Sequence, residues 1–131
     1  MKELLFTNVG RINRQKFWLA LFYQLIASII VGIVFGVLAM IFPGDVTADG
    51  SFHVTGLKAI PYLIVGIGYA VFSFWAGLCV AIKRYHDRGK SGWWILIMLV
   101  PIVGGIWYFI ETGCLRGTDG PNAYGPDPLA A

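Results

Sequence analysis

FWLALFYQLIASIIVGIVFGVLAMIF, residues 17–42, holds no Lys, Arg, Asp or Glu. As a helix rising about 1.5 Å per residue it is about 39 Å long, more than the ~30 Å hydrocarbon core of a bilayer. A helix buried in a soluble domain carries a polar stripe opposite its apolar one, and this run has none. A second charge-free run, AIPYLIVGIGYAVFSFWAGLCVAI at 59–82, is about 36 Å long by the same measure. Both are long enough to span with some tilt.

The rest of the chain agrees. Hydrophobic residues make up 57% of it and charged residues 13%, against the ~45–50% and ~25% usual in soluble domains. Its 131 residues bound it to a single domain. A basic start with Lys2, Arg11, Arg14 and Lys16 suits a signal peptide. The apolar run is far longer than a signal's ~7–15 residues and more runs follow, so an uncleaved anchor is expected. The sequence has no nucleic-acid recognition motif, and none is expected to bind. Cys79 and Cys114 lack CxxC or metal-ligand spacing, so no disulfide framework, metal or cofactor is expected.

The third run, WWILIMLVPIVGGIWYFI at 93–110, reaches only about 27 Å as a helix. Pro101 interrupts it, with Gly104 and Gly105 close behind, which predicts a break near Val100. Either a kinked third span or a short helical hairpin satisfies this pattern, and the hairpin is marginally favoured. The predicted fold is therefore all-α and polytopic: two full transmembrane helices plus a third, proline-broken membrane segment. Its parts are a basic arm (1–16), span one (17–42), a loop (43–58), span two (59–82), a polar loop (83–92), the broken segment (93–110) and a Gly/Pro-rich tail (111–131).

Basic residues set the orientation. The arm holds four, the loop at 43–58 only Lys58, and the loop at 83–92 again four: Lys83, Arg84, Arg88 and Lys90. The positive-inside rule puts the arm and second loop in the cytoplasm and the first loop outside. The tail's one Arg116 against Asp119 and Asp127 leaves its side undecided, with a slight lean to the cytoplasm. Asn13 is a candidate N-cap for the first helix, which places Arg14 and Lys16 at its positive dipole end. That costs about 0.3–1 kcal/mol each. Attraction to an anionic leaflet is worth about 1 kcal/mol per basic residue, enough to offset it.

Small residues recur every four positions at Ser28, Gly32 and Gly36, and again at Gly66 with Ala70 and Gly77 with Ala81. Such spacing lets helices approach closely. It predicts packing of span one on span two, or else a homo-oligomer seam. Trp18, Trp93 and Trp94 are placed as interface anchors. Arg84 and Arg88, four apart, offer guanidinium forks at headgroup depth. His86, Asp87 and Ser91 have the residue types of a hydrolytic triad, but triads converge from separated elements, so no catalytic residue is assigned. Tyr69 and Ser73 share a helix face and mark a channel reading.

Four blocks, GRINRQKFW (10–18), KRYHDRGKSGWW (83–94), LVPIVGG (99–105) and GTDGPNAYGPDP (117–128), together resemble the bacterial family known as domain of unknown function 805. They cover nearly the whole chain in the right order. The R-x-H-D loop, the S-G-W-W after it and the closing G-P-D-P are the specific features. The resemblance implies a small bacterial inner-membrane protein and supplies no biochemical activity. The motif's polar residues lie in the arm, the second loop and the tail. With a hairpin third segment these meet on the cytoplasmic side as a cluster of Arg11, Arg14, Arg84, His86, Asp87, Arg88, Ser91, Asn122 and Asp127. There Asp87 or Asp127 is expected to pair with Arg11, Arg14 or Arg84. Glu111 can pair with a cation of the second loop only in that arrangement.

The function ranked first is a non-enzymatic interaction or lipid-contacting protein with a basic cytoplasmic face. Its expected partners are anionic headgroups, a membrane partner protein or further copies of itself. A small oligomeric channel or transporter ranks second, and an enzyme using His86 and Asp87 third.

Overall fold

A computed structural model describes residues 2–130. Met1 and Ala131, the outer ends of the predicted arm and tail, lie outside the described residues, as does the side chain of Lys2, one of the arm's cations. The elements in order are α1 (Lys2–Phe6), α2 (Arg14–Ile41), β1 (Asp45–Val46), β2 (Phe52–His53), a 3-10 turn (Gly56–Lys58), α3 (Ala59–Asp87), a 3-10 helix (Gly92–Leu99), α4 (Val103–Tyr108) and a π-helical turn (Phe109–Cys114). The fold is mostly helical, and α2 and α3 are long and apolar enough to cross a membrane.

Asn13 caps α2 as its position predicts: its side-chain oxygen accepts the Lys16 N–H at 2.9 Å. α3 runs five residues past the predicted end of span two, from Ile82 to Asp87. Lys83, Arg84, Tyr85 and His86 all sustain a helix, and the stop comes only at Gly89, whose φ is +70°. Gly89 N–H returns to the His86 carbonyl at 2.9 Å and Lys90 N–H to the Tyr85 carbonyl at 2.9 Å. This is a Schellman termination, which a glycine in the left-handed region allows. The first half of the predicted polar loop is therefore helix. α1 lies in the arm, where no element is predicted. The Lys83 ammonium closes its end by donating to the Glu3 and Leu4 carbonyls.

The third run breaks where Pro101 predicts. Ile102 holds φ +64° and ψ −62°, and Val103 N–H donates to the Pro101 carbonyl at 2.7 Å. That three-residue turn is the rare, strained γ form. The 3-10 helix before it and α4 after it fold back on each other. A Cβ on Gly104 would lie 1.9 Å from the Ile97 carbonyl oxygen, so only glycine lets the limbs meet this closely. One limb is about 16 Å long and the other, with the π turn, about 18 Å. Neither alone matches a ~30 Å hydrocarbon core.

The chain divides into two compact units, residues 1–23 with 74–131, and residues 24–73. Buried positions fall in the first: Phe17, Ala20, Ala76, Cys79, Val80 and Tyr85, together with Arg11, Lys83, Arg84, Asp87, Glu111 and Thr112. Large apolar side chains such as Ile33, Met40, Ile64 and Phe74 stand exposed along the two long helices. Charge inside and hydrocarbon outside is the reverse of a soluble domain.

Within residues 24–73, Gln24 donates to the Ser73 carbonyl at 3.1 Å. The Phe35 and Tyr62 rings lie 5.8 Å apart, and Tyr62 OH donates to the Phe42 carbonyl at 3.1 Å. β1 and β2 pair antiparallel, Asp45 opposite His53. In their turn Asp49 accepts from Thr47 and Ser51, which hold its carboxyl down to about 2. The expected packing of span one on span two through small residues is corrected at two positions. A Cβ on Gly32 or Gly36 would meet nothing within 4 Å, whereas one on Gly66 would lie 3.6 Å from the Phe35 ring, so the helices approach there instead. The Ser28 hydroxyl donates to its own helix at the Leu25 carbonyl. Ala70 is exposed, and Gly77, in the first unit, is half-buried.

Candidate functional site

The last turns of α3 continue the inward face of Ala76 and Val80 through Lys83, Arg84 and Asp87, spaced three to four residues apart. Arg84 is wholly buried. Its Nε donates to the Thr112 carbonyl at 2.6 Å, and its two amino nitrogens donate to the Ile12 and Leu115 carbonyls and to Asp87 Oδ2. Arg11 arrives from the segment ahead of α2. Its Nε donates to Asp87 Oδ1 at 3.1 Å, and its amino groups reach the carbonyls of Thr118 (2.7 Å), Gly120 (2.7 Å) and Gly125 (3.3 Å).

Asp87 thus sits between two guanidiniums, one on each oxygen. Burying three charges is costly unless their remaining hydrogen-bonding capacity is used, and here backbone carbonyls of the tail and π turn use it. Burial pulls Arg84 below the ordinary arginine value, and the Asp87 carboxylate opposes that pull. Gly117 must be glycine for the tail to pass: a Cβ there would lie 2.0 Å from Asp87 Oδ2.

The tail folds in turns over this core, as its composition demands. Thr118 donates to the Asp87 carbonyl from both its N–H (2.8 Å) and its hydroxyl (3.1 Å). Asn122 donates to the His86 carbonyl and to the Thr118 hydroxyl oxygen, both at 2.9 Å. Asp127 accepts the Gly120 and Leu129 N–H groups at 3.0 and 2.9 Å. The Leu129 and Gly120 bonds hold its carboxyl below the usual range. The Tyr124 ring lies flat on His86, with centroids 4.0 Å apart and planes 4° from parallel.

Glu111 closes the folded-back segment. Its side chain, 5% exposed, accepts from Arg88 Nε at 3.0 Å and Lys90 Nζ at 2.8 Å, so residue 111 lies beside residue 90. Burial pushes its carboxyl up, but the Lys90 and Arg88 hydrogen bonds outweigh it and the group ends below its ordinary value. Lys90 also rests over the Trp94 ring at 4.5 Å and the Trp107 ring at 5.8 Å.

The sequence profile of the family described as "Protein of unknown function (DUF805)" matches residues 5–126. The chain belongs to this family. Inner membrane protein YhaI of Escherichia coli (strain K12) is 34% identical over 119 residues, 91% of this chain and 83% of the relative. Inner membrane protein YhaH of the same strain is 29% identical over 119 residues, covering 91% and 84%. Uncharacterized protein YiiR of that strain is 26% identical over 151 residues, covering 97% and 89%. No solved structure matches the chain. With its two long apolar helices, this DUF805 chain is a small helical membrane protein.

Of the polar cluster expected from sequence, Arg11, Arg84, His86, Asp87, Asn122 and Asp127 share one network. Arg84 is corrected as a headgroup-contacting fork, since it is buried with its donors on protein acceptors, and Arg11 of the same cluster is buried likewise. The expected pairing of aspartates and arginines resolves onto Asp87 with Arg11 and Arg84. Asp127 takes backbone donors, and Arg14 donates to the Cys114 carbonyl at 3.0 Å. Arg88 lies with Glu111, and Ser91 caps the 3-10 helix by accepting Trp93 N–H.

Trp18 donates to the Gly113 carbonyl at 3.3 Å, Trp94 lies under Lys90, and Trp93 is 77% exposed. His86, Asp87 and Ser91 have separate partners: His86 Nδ1 lies 3.3 Å from the Gly10 carbonyl oxygen, and neither of the other two contacts it. Among the described residues, no three His, Cys, Asp or Glu converge as metal ligands. Sequence reasoning missed Lys83, Thr112, Thr118 and Tyr124. For Lys83 a signal existed, since it continues the inward face of the second apolar run.

Burial holds the His86 imidazole below its ordinary value, against a raising contact with the Gly10 carbonyl. The folded state therefore resists protonation more than the unfolded chain, so the stability is complete above the unfolded value of about 6.5 and declines as pH falls through it. Thermal unfolding in a neutral detergent should show a midpoint that falls from pH 7.5 to 5.5. His86→Gln should flatten that part of the profile. An unchanged slope in the variant would assign the pH dependence elsewhere.

Proposed function

We propose that this DUF805 chain is an inner-membrane protein with residues 17–42 and 59–82, carried by α2 and α3, as full spans, residues 93–110 as a re-entrant hairpin, and a closed cytoplasmic cap of arm, loop and tail. The basic rim of that cap contacts anionic lipid headgroups. The observation that carries this reading is Glu111, tied to Arg88 and Lys90: a segment whose exit is bridged to its entrance returns to the side it left. The arm and second loop hold eight of the chain's ten Lys and Arg, which favours the cytoplasmic side for the cap. Headgroup contact falls to the rim cations, Arg14 and Lys16, which are exposed, and Arg88 and Lys90, whose side chains are 25% and 27% exposed. The channel reading is weaker, because ion-conduction paths usually carry charged groups at depth, and residues 17–42 and 59–82 hold no Lys, Arg, Asp or Glu.

Spheroplasts treated with a membrane-impermeant maleimide test the arrangement. Ala48→Cys should label from outside, while Cys114, exposed at the end of the π turn, should label only after lysis. A reporter fused after Ala131 should read as cytoplasmic. A tail that labels from outside would replace the hairpin by a third span.

A further inference from the structure

A cleft of about 730 Å³ opens in the unit formed by residues 1–23 and 74–131, between α1, the first turns of α2 and the tail. Three cations line it: Arg11, Lys16 and Lys83. Arg11 is spent on Asp87 and the tail carbonyls. Lys83 is 2% exposed, and its ammonium uses two of its three N–H groups on the Glu3 and Leu4 carbonyls. Neither Lys83 nor Lys16 has a carboxylate partner within ion-pair distance among the described residues. They line the cleft as near neighbours of like charge; Glu3 and Asp127 line it too, and Glu3 lies near enough to Lys83 to favour its charge without forming an ion pair. One side of the cleft is apolar. Leu19 and Tyr23 lie one and two turns along α2 from Lys16, inside the run expected to be in lipid, and Val9 faces them from the arm.

We infer that this cleft is a binding site for one anionic phospholipid, its phosphate at Lys16 and Lys83 and an acyl chain along Leu19 and Tyr23. The inference rests on the headgroup-contact reading above and gives it a place. A phosphate supplies the negative charge that the two lysines lack, and accepts the spare Lys83 donor. A free phosphate uses the cations alone and leaves the apolar wall empty, so the shape favours a ligand with both parts. Lys16 is exposed, its ammonium has no ion-pair or hydrogen-bond partner among the described residues, and removing it disturbs no buried contact.

The test is binding of short-chain phosphatidylglycerol to the purified full chain in a neutral detergent, followed by native mass spectrometry. Short-chain phosphatidylcholine and inorganic phosphate serve as parallel probes. Phosphatidylglycerol should bind with a defined stoichiometry of one and in preference to phosphatidylcholine. Lys16→Gln should weaken it about fivefold, the weight of one basic residue at an anionic surface. Leu19→Asn should weaken phosphatidylglycerol while leaving the fold intact by circular dichroism. If Arg88→Gln or Lys90→Gln weakens binding and Lys16→Gln does not, the cleft is excluded and headgroup contact moves to the opposite rim. If phosphatidylglycerol and phosphatidylcholine bind alike, the headgroup reading fails with it. If inorganic phosphate displaces the lipid at equal concentration, the apolar wall plays no part and the inference is overturned.

Discussion

Asp87→Asn should cost the folded protein about 3–5 kcal/mol, the largest loss expected from any single substitution at the cap. The carboxylate is the one negative charge between two guanidiniums in a place where water does not reach. Asparagine keeps one acceptor oxygen but turns an NH2 toward the other guanidinium, so Arg11 and Arg84 stay buried with one donor unpaired and no counter-charge between them. Asp127→Asn is the matched control. That carboxylate takes only backbone N–H groups, and its loss should cost about 1 kcal/mol, as for an ordinary hydrogen bond. Unfolding by denaturant in mixed micelles reads both. A double-mutant cycle with Arg84→Gln should show coupling of about 0.5–3 kcal/mol, since the second substitution removes the charge that the first left stranded. Additive losses, or equal losses in the two aspartate variants, would mean that Asp87 does not hold the cap.

Gly104→Ala should be the most damaging change in the folded-back segment. The added methyl meets the Ile97 carbonyl oxygen at 1.9 Å, its carbon at 2.9 Å and Met98 Cα at 3.0 Å, all main-chain atoms. No rotamer change relieves that, so the limbs must part, at about 1–3 kcal/mol for an overpacked contact. Gly105 is its neighbour in the same helix, and a Cβ added there would meet nothing within 4 Å. Gly105→Ala should therefore be neutral, or stabilising by up to about 1 kcal/mol through helix propensity. Midpoints of thermal unfolding, followed through Trp93, Trp94 and Trp107 fluorescence, compare the two. A Gly104→Ala midpoint equal to the Gly105→Ala one would show that the limbs do not touch.

Much of the architecture was legible because lipid is a demanding solvent. Two charge-free runs longer than a bilayer's hydrocarbon core have few other fates, and Pro101 breaks a helix wherever it is placed inside one. The Asn13 cap was readable for the same local reason. The cap's interior was legible only as a set of residues. Which aspartate meets which arginine depends on the path of the tail through Gly117, Gly120 and Gly125, and no local preference encodes that path. The guanidiniums were expected to face headgroups because arginine so often does. Arg84 instead turns inward because α3 continues to Asp87, and that continuation was hidden by the abrupt onset of charge at Lys83. α1 was invisible for a similar reason, being five residues long and held by a lysine eighty positions away.

Arg11 grips the carbonyl of Gly125 across 114 positions of sequence. At a ribosomal pace of about 5–20 residues per second, roughly 6–20 s separate the synthesis of the two ends. Both long helices are made within that interval, before the tail carbonyls that hold Arg11 exist. The latch on Arg11 therefore closes only after the tail is made, and a chain cut before residue 117 lacks the Thr118, Gly120 and Gly125 carbonyls that close it.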